Sequence, residues 1–240
     1  MKNVDLFCFP FAGGNKYSYR DFEEFISPGV NMITMEYPGR GLRTKEEFMT
    51  NIDDLIDDLY NDIIKNIGKN EYAFYGHSMG GIMAFFLCKK LIAGKHKPPK
   101  HLFITGTTGP ASNSRREKQR HLMSKEAFIQ EIRDLDGCPE EVLNNDELLD
   151  YFEPILRADF RISETFMYTT TELLEIPVTV ITGTDEDLKM EDIKLWQKET
   201  THNIDFQQMP GKHFFILDYP AEIMGIVTNK IYRNNIVPSI

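Results

Sequence analysis

The sequence predicts an α/β domain: a mostly parallel sheet flanked by helices, interrupted between its late strands by a helical insertion. Three observations carry that prediction. Over residues 1–110, short apolar runs alternate with helical patterns, the order that builds a parallel sheet wrapped by helices. Gly76-His77-Ser78-Met79-Gly80 reads G-x-S-x-G, entered by Tyr72-Ala73-Phe74-Tyr75 and left by Ile82-Met83-Ala84-Phe85-Phe86-Leu87. A strand-like run before it and a helix-like run after it make it a sharp elbow with a serine at the apex. Residues 111–172 then carry helical patterns and no convincing strand. The predicted organisation is a core of residues 1–110 and 173–240 with a lid, 111–172, inserted in it.

The first element is Val4 to Phe9, an apolar run with few breakers, as a buried parallel strand requires. It runs into Pro10-Phe11-Ala12-Gly13-Gly14, which lacks both G-x-G-x-x-G spacing and the Lys-Ser/Thr ending of a phosphate loop. Tyr19, Phe22, Phe25 and Ile26 follow at helical spacing, and Pro28-Gly29 stops them. Val30 to Met35 reads as a second strand and Tyr37-Pro38-Gly39-Arg40-Gly41 as a turn-rich loop. Arg40 is read as a solvated loop arginine, with an anion contact as the sharper alternative. Ile52, Leu55, Ile56, Leu59, Ile63, Ile64 and Ile67 form the apolar stripe of a long helix. Asp53, Asp54, Asp57, Asp58 and Asp62 fall on its solvated side. Gly68 ends that helix, the elbow strand and helix follow, and Leu102 to Thr105 is the next strand.

Within the insertion, Ser124 can cap a helix holding Ala127, Phe128, Ile129 and Ile132. A second helical stretch carries Val142 to Tyr151, and a third follows Pro154. Apolar residues here read as lid core, some able to line an acyl tunnel. Arg115, Arg116, Lys118 and Arg120 read as a solvated charge run, or as a dock for an acidic partner. Pro177 to Thr182 resumes the sheet and ends in Gly183-Thr184-Asp185-Glu186-Asp187. Ile193 and Trp196 begin the helix behind it. Phe206 to Met209 is the last strand, followed by Pro210-Gly211-Lys212-His213 and a C-terminal helix.

Composition excludes several classes. A formal charge of -10 lacks the basic footprint of a nucleic-acid binder. No run approaches the roughly 18 apolar residues of a membrane span, and the N-terminus lacks the apolar core of a signal peptide. Cys8, Cys88 and Cys138 are odd in number, widely spaced and free of C-x-x-C, which suggests reduced thiols rather than a disulfide framework or zinc site.

The chemistry is carried by Ser78, an acid in the stretch Asp185 to Asp187, and His213, each at a predicted strand end. That is the Ser…Asp/Glu…His chain order of an α/β-hydrolase triad. Serine is a weak nucleophile at neutral pH, so an imidazole must take its proton, and a carboxylate fixes the imidazole tautomer. Asp187 and Asp185 are the favoured acids, with Glu186 able to do the same work. The amides of Met79 and Ala12 are the candidate oxyanion donors, with Phe11 the alternative to Ala12. His77 adjoins the serine but is read as a packing or polar support residue; His96, His101, His121 and His202 default to the surface. No metal or dissociable cofactor is required. A general lipase or carboxylesterase and a catalytically silent binding module are the competing readings.

Cys8-Phe9-Pro10-Phe11-Ala12-Gly13-Gly14, Tyr37-Pro38-Gly39-Arg40-Gly41, Gly76-His77-Ser78-Met79-Gly80-Gly81, Leu156-Arg157-Ala158-Asp159-Phe160 and Pro210-Gly211-Lys212-His213-Phe214-Phe215 stand in this order along the chain. Together they resemble the type II thioesterases of nonribosomal peptide and polyketide synthesis. The resemblance implies a free-standing cytoplasmic enzyme, with nothing demanding more than a monomer. It would hydrolyse acyl groups from the 4′-phosphopantetheine thiol of carrier proteins. It makes Ser78 the nucleophile, His213 the base, and Met79 and Ala12 the oxyanion donors. Two departures stand out. Lys212 replaces the second glycine that the family commonly carries before its histidine. The family acid usually lies three residues after the strand-end glycine, and here that position is Glu186 between two aspartates.

Overall fold

A computed structural model describes residues 3–233. Met1, Lys2 and residues 234–240, which the sequence analysis assigns to the core, lie outside the described residues. Six parallel strands form one sheet in the order β2-β1-β3-β4-β5-β6: β1 (Val4–Phe9), β2 (Val30–Thr34), β3 (Glu71–His77), β4 (Leu102–Thr105), β5 (Val178–Gly183) and β6 (Asp205–Met209). β1, β4 and β5 are buried throughout, as strands covered on both faces must be, whereas the edge strands β2 and β6 are mostly half-buried.

Side chains on β1 alternate between the two layers with the period of two of a strand. Phe7 and Phe9 pack with α1 (Ile52–Ile63) and α2 (Met79–Ala93). Leu6 and Cys8 face Tyr19, Phe22 and, much later in the chain, Ile223, Met224 and Val227. α1 has the expected one-sided face, and Asn51 caps it by accepting the amides of Asp53 and Asp54. The pattern at Tyr19, Phe22 and Phe25 yields a short 3-10 helix, Arg20–Phe25, rather than an α-helix. Its spacing of three matches the 3-10 repeat.

The segment between β4 and β5 holds α3 (Lys125–Leu135), α4 (Glu140–Leu143) and α5 (Asp146–Thr165). Ser124 caps α3 as expected, accepting the Ala127 amide at 3.3 Å. The boundary predicted at Pro154 is absent: α5 runs through it, so the missing N–H forfeits one rung without ending the helix. Leu149 before the proline and Leu156 and Phe160 after it pack on one small core, which holds the helix together across it. Phe128, Ile132, Leu143 and Leu149 form a small core of this segment's own, while Ile162 and Phe166 join the main core. α6 (Met190–Ile193) continues as a 3-10 turn, Lys194–Glu199, and α7 (Pro220–Arg233) closes the described chain. Among the described residues no helix is long and apolar enough to cross a membrane.

The register places Phe9 beside Gly76, His77 beside Thr105, and Gly183 beside Met209. The loops after β1, β3, β5 and β6 therefore converge on the carboxyl rim of the sheet, where open α/β sheets place their ligands.

Candidate active site

The elbow is built as a strained turn. Ser78 has φ 54° and ψ −121°, a conformation rare for a residue with a side chain. Such positions cost of order 1–3 kcal/mol and persist only where surrounding packing fixes them. Here the packing is backbone on backbone: a Cβ at Gly80 would lie 1.9 Å from the Phe9 carbonyl oxygen, and one at Gly76 would lie 2.3 Å from the Gly80 carbonyl. The Ser78 amide donates to the Thr105 carbonyl at 2.8 Å, which ties the turn to β4.

His213 lies on the loop after β6, with Nε2 3.0 Å from Ser78 Oγ. Its Nδ1 lies 2.7 Å from Glu186 Oε1. The other oxygen of that carboxylate accepts the Gly183 amide at 2.7 Å, and the Glu186 side chain is only 1% exposed. An ionised carboxylate only accepts, so Nδ1 carries the imidazole proton and Nε2 is left to accept from the serine.

The structure does not bring Asp187 or Asp185, the acids favoured from sequence, against His213. Both are exposed, and neither carboxylate meets the imidazole. The Asp185 amide donates to the Gly211 carbonyl at 3.0 Å, and its carboxylate meets the Thr184 hydroxyl. The turn after β5 thus sends the middle side chain inward and its neighbours outward. Glu186 lies three residues past Gly183, a spacing that lets its carboxylate fold back onto the glycine amide.

His77 lies under this pair as a support. It is fully buried, its Nδ1 lies 3.0 Å from Thr105 Oγ1, and its ring centroid is 4.8 Å from that of His213. Burial, helped by the charge His213 can carry, holds its pKa well below the usual histidine value. It presents an uncharged wall to His213.

The loop after β1 approaches Ser78 from the other side. Gly13 and Gly14 spend their amides on Asp159 and on the Phe11 carbonyl. The amides of Ala12 and Met79 donate to no acceptor among the described residues, and Met79 opens α2, whose positive end faces the serine. A cavity of about 180 Å³ runs from Ser78 and His213 between this loop and the helical segment. Ile132, Val142, Phe152, Leu156 and Phe160 make it apolar. A larger cavity, about 590 Å³, opens at the other end of the sheet among Asn3, Lys69, Glu71 and His96, away from Ser78.

Sequence reasoning misplaced several polar residues. Arg40 is not solvated: it is buried and forms a two-pronged ion pair with Asp159, at 2.5 and 2.7 Å. The basic run is paired within the chain, although Lys118 remains exposed. Arg115 lies over the Phe166 ring, Arg116 donates to the Phe166 carbonyl, Lys118 meets Glu131, and Arg120 meets Glu131 and Glu164. Of the four histidines assigned to the surface only His202 is exposed; His101 is buried, while His96 and His121 are half-buried on Tyr60 and Glu164. Such partners lie 11 to 119 residues away, and no local pattern announces them.

The thioesterase domain family matches residues 4–231. The gramicidin S biosynthesis protein GrsT of Aneurinibacillus migulanus is 30% identical over 227 residues, covering 94% of this chain and 88% of its own. Among solved structures, ClbQ from the colibactin NRPS/PKS pathway superposes with a TM-score of 0.90 at 30% identity, over 96% of this chain and 98% of its own. The type II thioesterase BorB from the borrelidin biosynthetic cluster gives 0.87 at 27%, over 95% and 93%. The sheet order, the elbow and this likeness agree on an α/β-hydrolase fold. The chain belongs to the thioesterase domain family.

Proposed function

We propose that this protein hydrolyses acyl thioesters held on the 4′-phosphopantetheine arm of carrier proteins, as an editing or release enzyme of nonribosomal peptide or polyketide synthesis. Relatives named for such pathways support the setting. The observation that carries the chemistry is the relay in which His213 joins Ser78 Oγ at 3.0 Å to Glu186 at 2.7 Å. Ser78 Oγ attacks the thioester carbonyl while His213 Nε2 takes its proton, and the amides of Met79 and Ala12 hold the oxyanion. The carbon–sulfur bond breaks, the proton passes from His213 to the departing thiolate, and an acyl-serine remains. Water, deprotonated by His213, attacks that ester and releases the acid with Ser78 restored. Glu186 holds the imidazole tautomer and stabilises the imidazolium. Residues 111–172 act as the lid, and the apolar cavity beneath it takes the acyl chain.

The test is turnover of a panel of acyl-carrier thioesters by the native protein and by Ser78→Ala. The variant should keep its fold and lose hydrolysis to background. Retained turnover would refute the nucleophile, and much faster cleavage of free oxyesters than of carrier thioesters would favour a general carboxylesterase.

A further inference from the structure

The ion pair between Arg40 and Asp159 is buried on both sides, at 4% and 1% exposure, and spans 119 residues. Its surroundings tie it to the reacting atoms. Asp159 Oδ2, besides meeting Arg40, accepts the Gly13 amide at 2.8 Å. Arg40 Nη1 donates to the Gly14 carbonyl at 3.2 Å, and its guanidinium lies over the Tyr37 ring. Tyr37 in turn donates its hydroxyl to the Pro10 carbonyl at 2.9 Å, and the Gly14 amide closes on the Phe11 carbonyl. The turn from Pro10 to Gly14 is therefore held at four points, two of them by this pair. The Phe11 and Ala12 amides both stay uncommitted among the described residues, and both residues line the cavity at Ser78.

Helix α5 reaches the same turn with a second side chain. Gly13 has φ 77°, and a Cβ there would lie 2.6 Å from Leu156 Cδ2. One turn of α5 thus covers Gly13 with Leu156, captures its amide with Asp159, and lines the cavity with Leu156 and Phe160.

We propose that Asp159, held in place by Arg40, is a positioning residue that aims the Ala12 amide at the oxyanion formed when Ser78 adds to a thioester. This rests on the reading of Ser78 as nucleophile and Ala12 as oxyanion donor. The inward helix that lines the acyl site thereby also sets the electrostatic half of the site. A misaimed donor loses the transition state and leaves ground-state binding intact, because the carbonyl acquires its negative charge only on the way to the adduct.

Removing one partner of a buried pair strands a charge, whereas replacing both with apolar residues of similar volume is often tolerated. The informative comparison is therefore Arg40→Met with Asp159→Leu against Arg40→Met with Asp159→Asn. The second keeps a side-chain oxygen for the Gly13 amide. Hexanoyl-N-acetylcysteamine serves as substrate and a hexyl trifluoromethyl ketone as the oxyanion analogue. The Leu double variant should lose about 100-fold in kcat, the scale of one oxyanion donor. Its KM should stay within about twofold, and its affinity for the ketone should fall in parallel with kcat. The Asn double variant should recover at least tenfold of that loss. A Leu variant that melts like the native protein yet keeps kcat within threefold overturns the proposal, as does an equal loss in both variants.

If the Leu variant does not fold, a crystal structure of the native enzyme carrying the ketone adduct decides. The oxyanion should lie about 2.7–3.1 Å from the Ala12 nitrogen, with the Gly13 amide still on Asp159. An oxyanion bonded to the Phe11 amide instead, or a Gly13 amide released from Asp159, overturns it. Ser78→Ala run alongside separates the two failures: activity in that variant removes the nucleophile, whereas its inactivity beside a fully active Leu variant removes only the role of Asp159.

Discussion

At the residue scale, the outcome turned on which atoms a short turn can bring together. Ser78 and His213 were legible because each sits in a motif whose neighbours report its context: glycines around the serine, and a strand end before the histidine. Which carboxylate meets His213 was not, because three adjacent carboxylates differ in little but the direction the backbone gives them and one methylene. Glu186 has the extra methylene that lets one oxygen return to the Gly183 amide while the other reaches His213. Glu186→Gln should therefore lower kcat by about 10⁴-fold, the cost of giving a triad histidine the wrong partner. Asp185→Asn and Asp187→Asn should each stay within about twofold. Steady-state rates on one thioester suffice, and a collapse in Asp187→Asn with Glu186→Gln unaffected would reverse the assignment. The elbow glycines belong to the same scale. Gly80→Ala should give little folded protein on a thermal melt, since its methyl would meet backbone that cannot move aside.

At the element scale, the periodic signals placed strands and long helices well and failed where tertiary contacts overrode them. Pro154 reads as a boundary, yet α5 continues because Leu149 before it and Leu156 and Phe160 after it pack on the same small core. Arg40 sits in a turn-rich loop, which argues for solvent, yet a helix arriving 119 residues later covers it. The helical segment also lines the cavity proposed to take the acyl chain. A cavity of about 180 Å³ is slightly larger than the roughly 150 Å³ void that holds one benzene ring in an engineered core. On the proposed function, that volume matches an acyl chain of about six to eight carbons. Each methylene buried there is worth about 0.8 kcal/mol, roughly fourfold in affinity. kcat/KM across a series of straight-chain thioesters should thus climb to about that length and then stop rising. Val142→Phe, which adds bulk to the wall, should move the maximum about two carbons shorter. An unchanged profile in that variant would place the chain elsewhere.

At the scale of the whole molecule, the class of fold was legible from alternation alone, while the ties that join its parts were not. His101 shows what one such tie does. It is buried, stacks on Phe103 at 4.1 Å, and its Nε2 meets Thr179 Oγ1 at 2.9 Å. Burial, with Lys230 acting in the same direction, pushes its pKa down to about 3. An unfolded histidine titrates near 6.5. Between those values the unfolded chain holds a proton that the folded chain does not, so stability is present above pH 6.5 and lost as the pH falls toward 3. The slope is about 1.4 kcal/mol per pH unit for each such histidine. Urea unfolding at pH 6.5, 5.5 and 4.5 should show His101→Gln losing stability less steeply than the native protein, by about that amount; parallel lines would mean the folded chain takes up the same proton as the unfolded one. The central claim, that the fold gathers Ser78 and His213 to make one alcohol reactive, meets its most direct measurement in fluorophosphonate labelling followed by peptide mass mapping. The adduct should sit on Ser78 and form at least 100-fold more slowly in His213→Ala. An adduct on another residue, or one whose rate ignores the loss of His213, would contradict it.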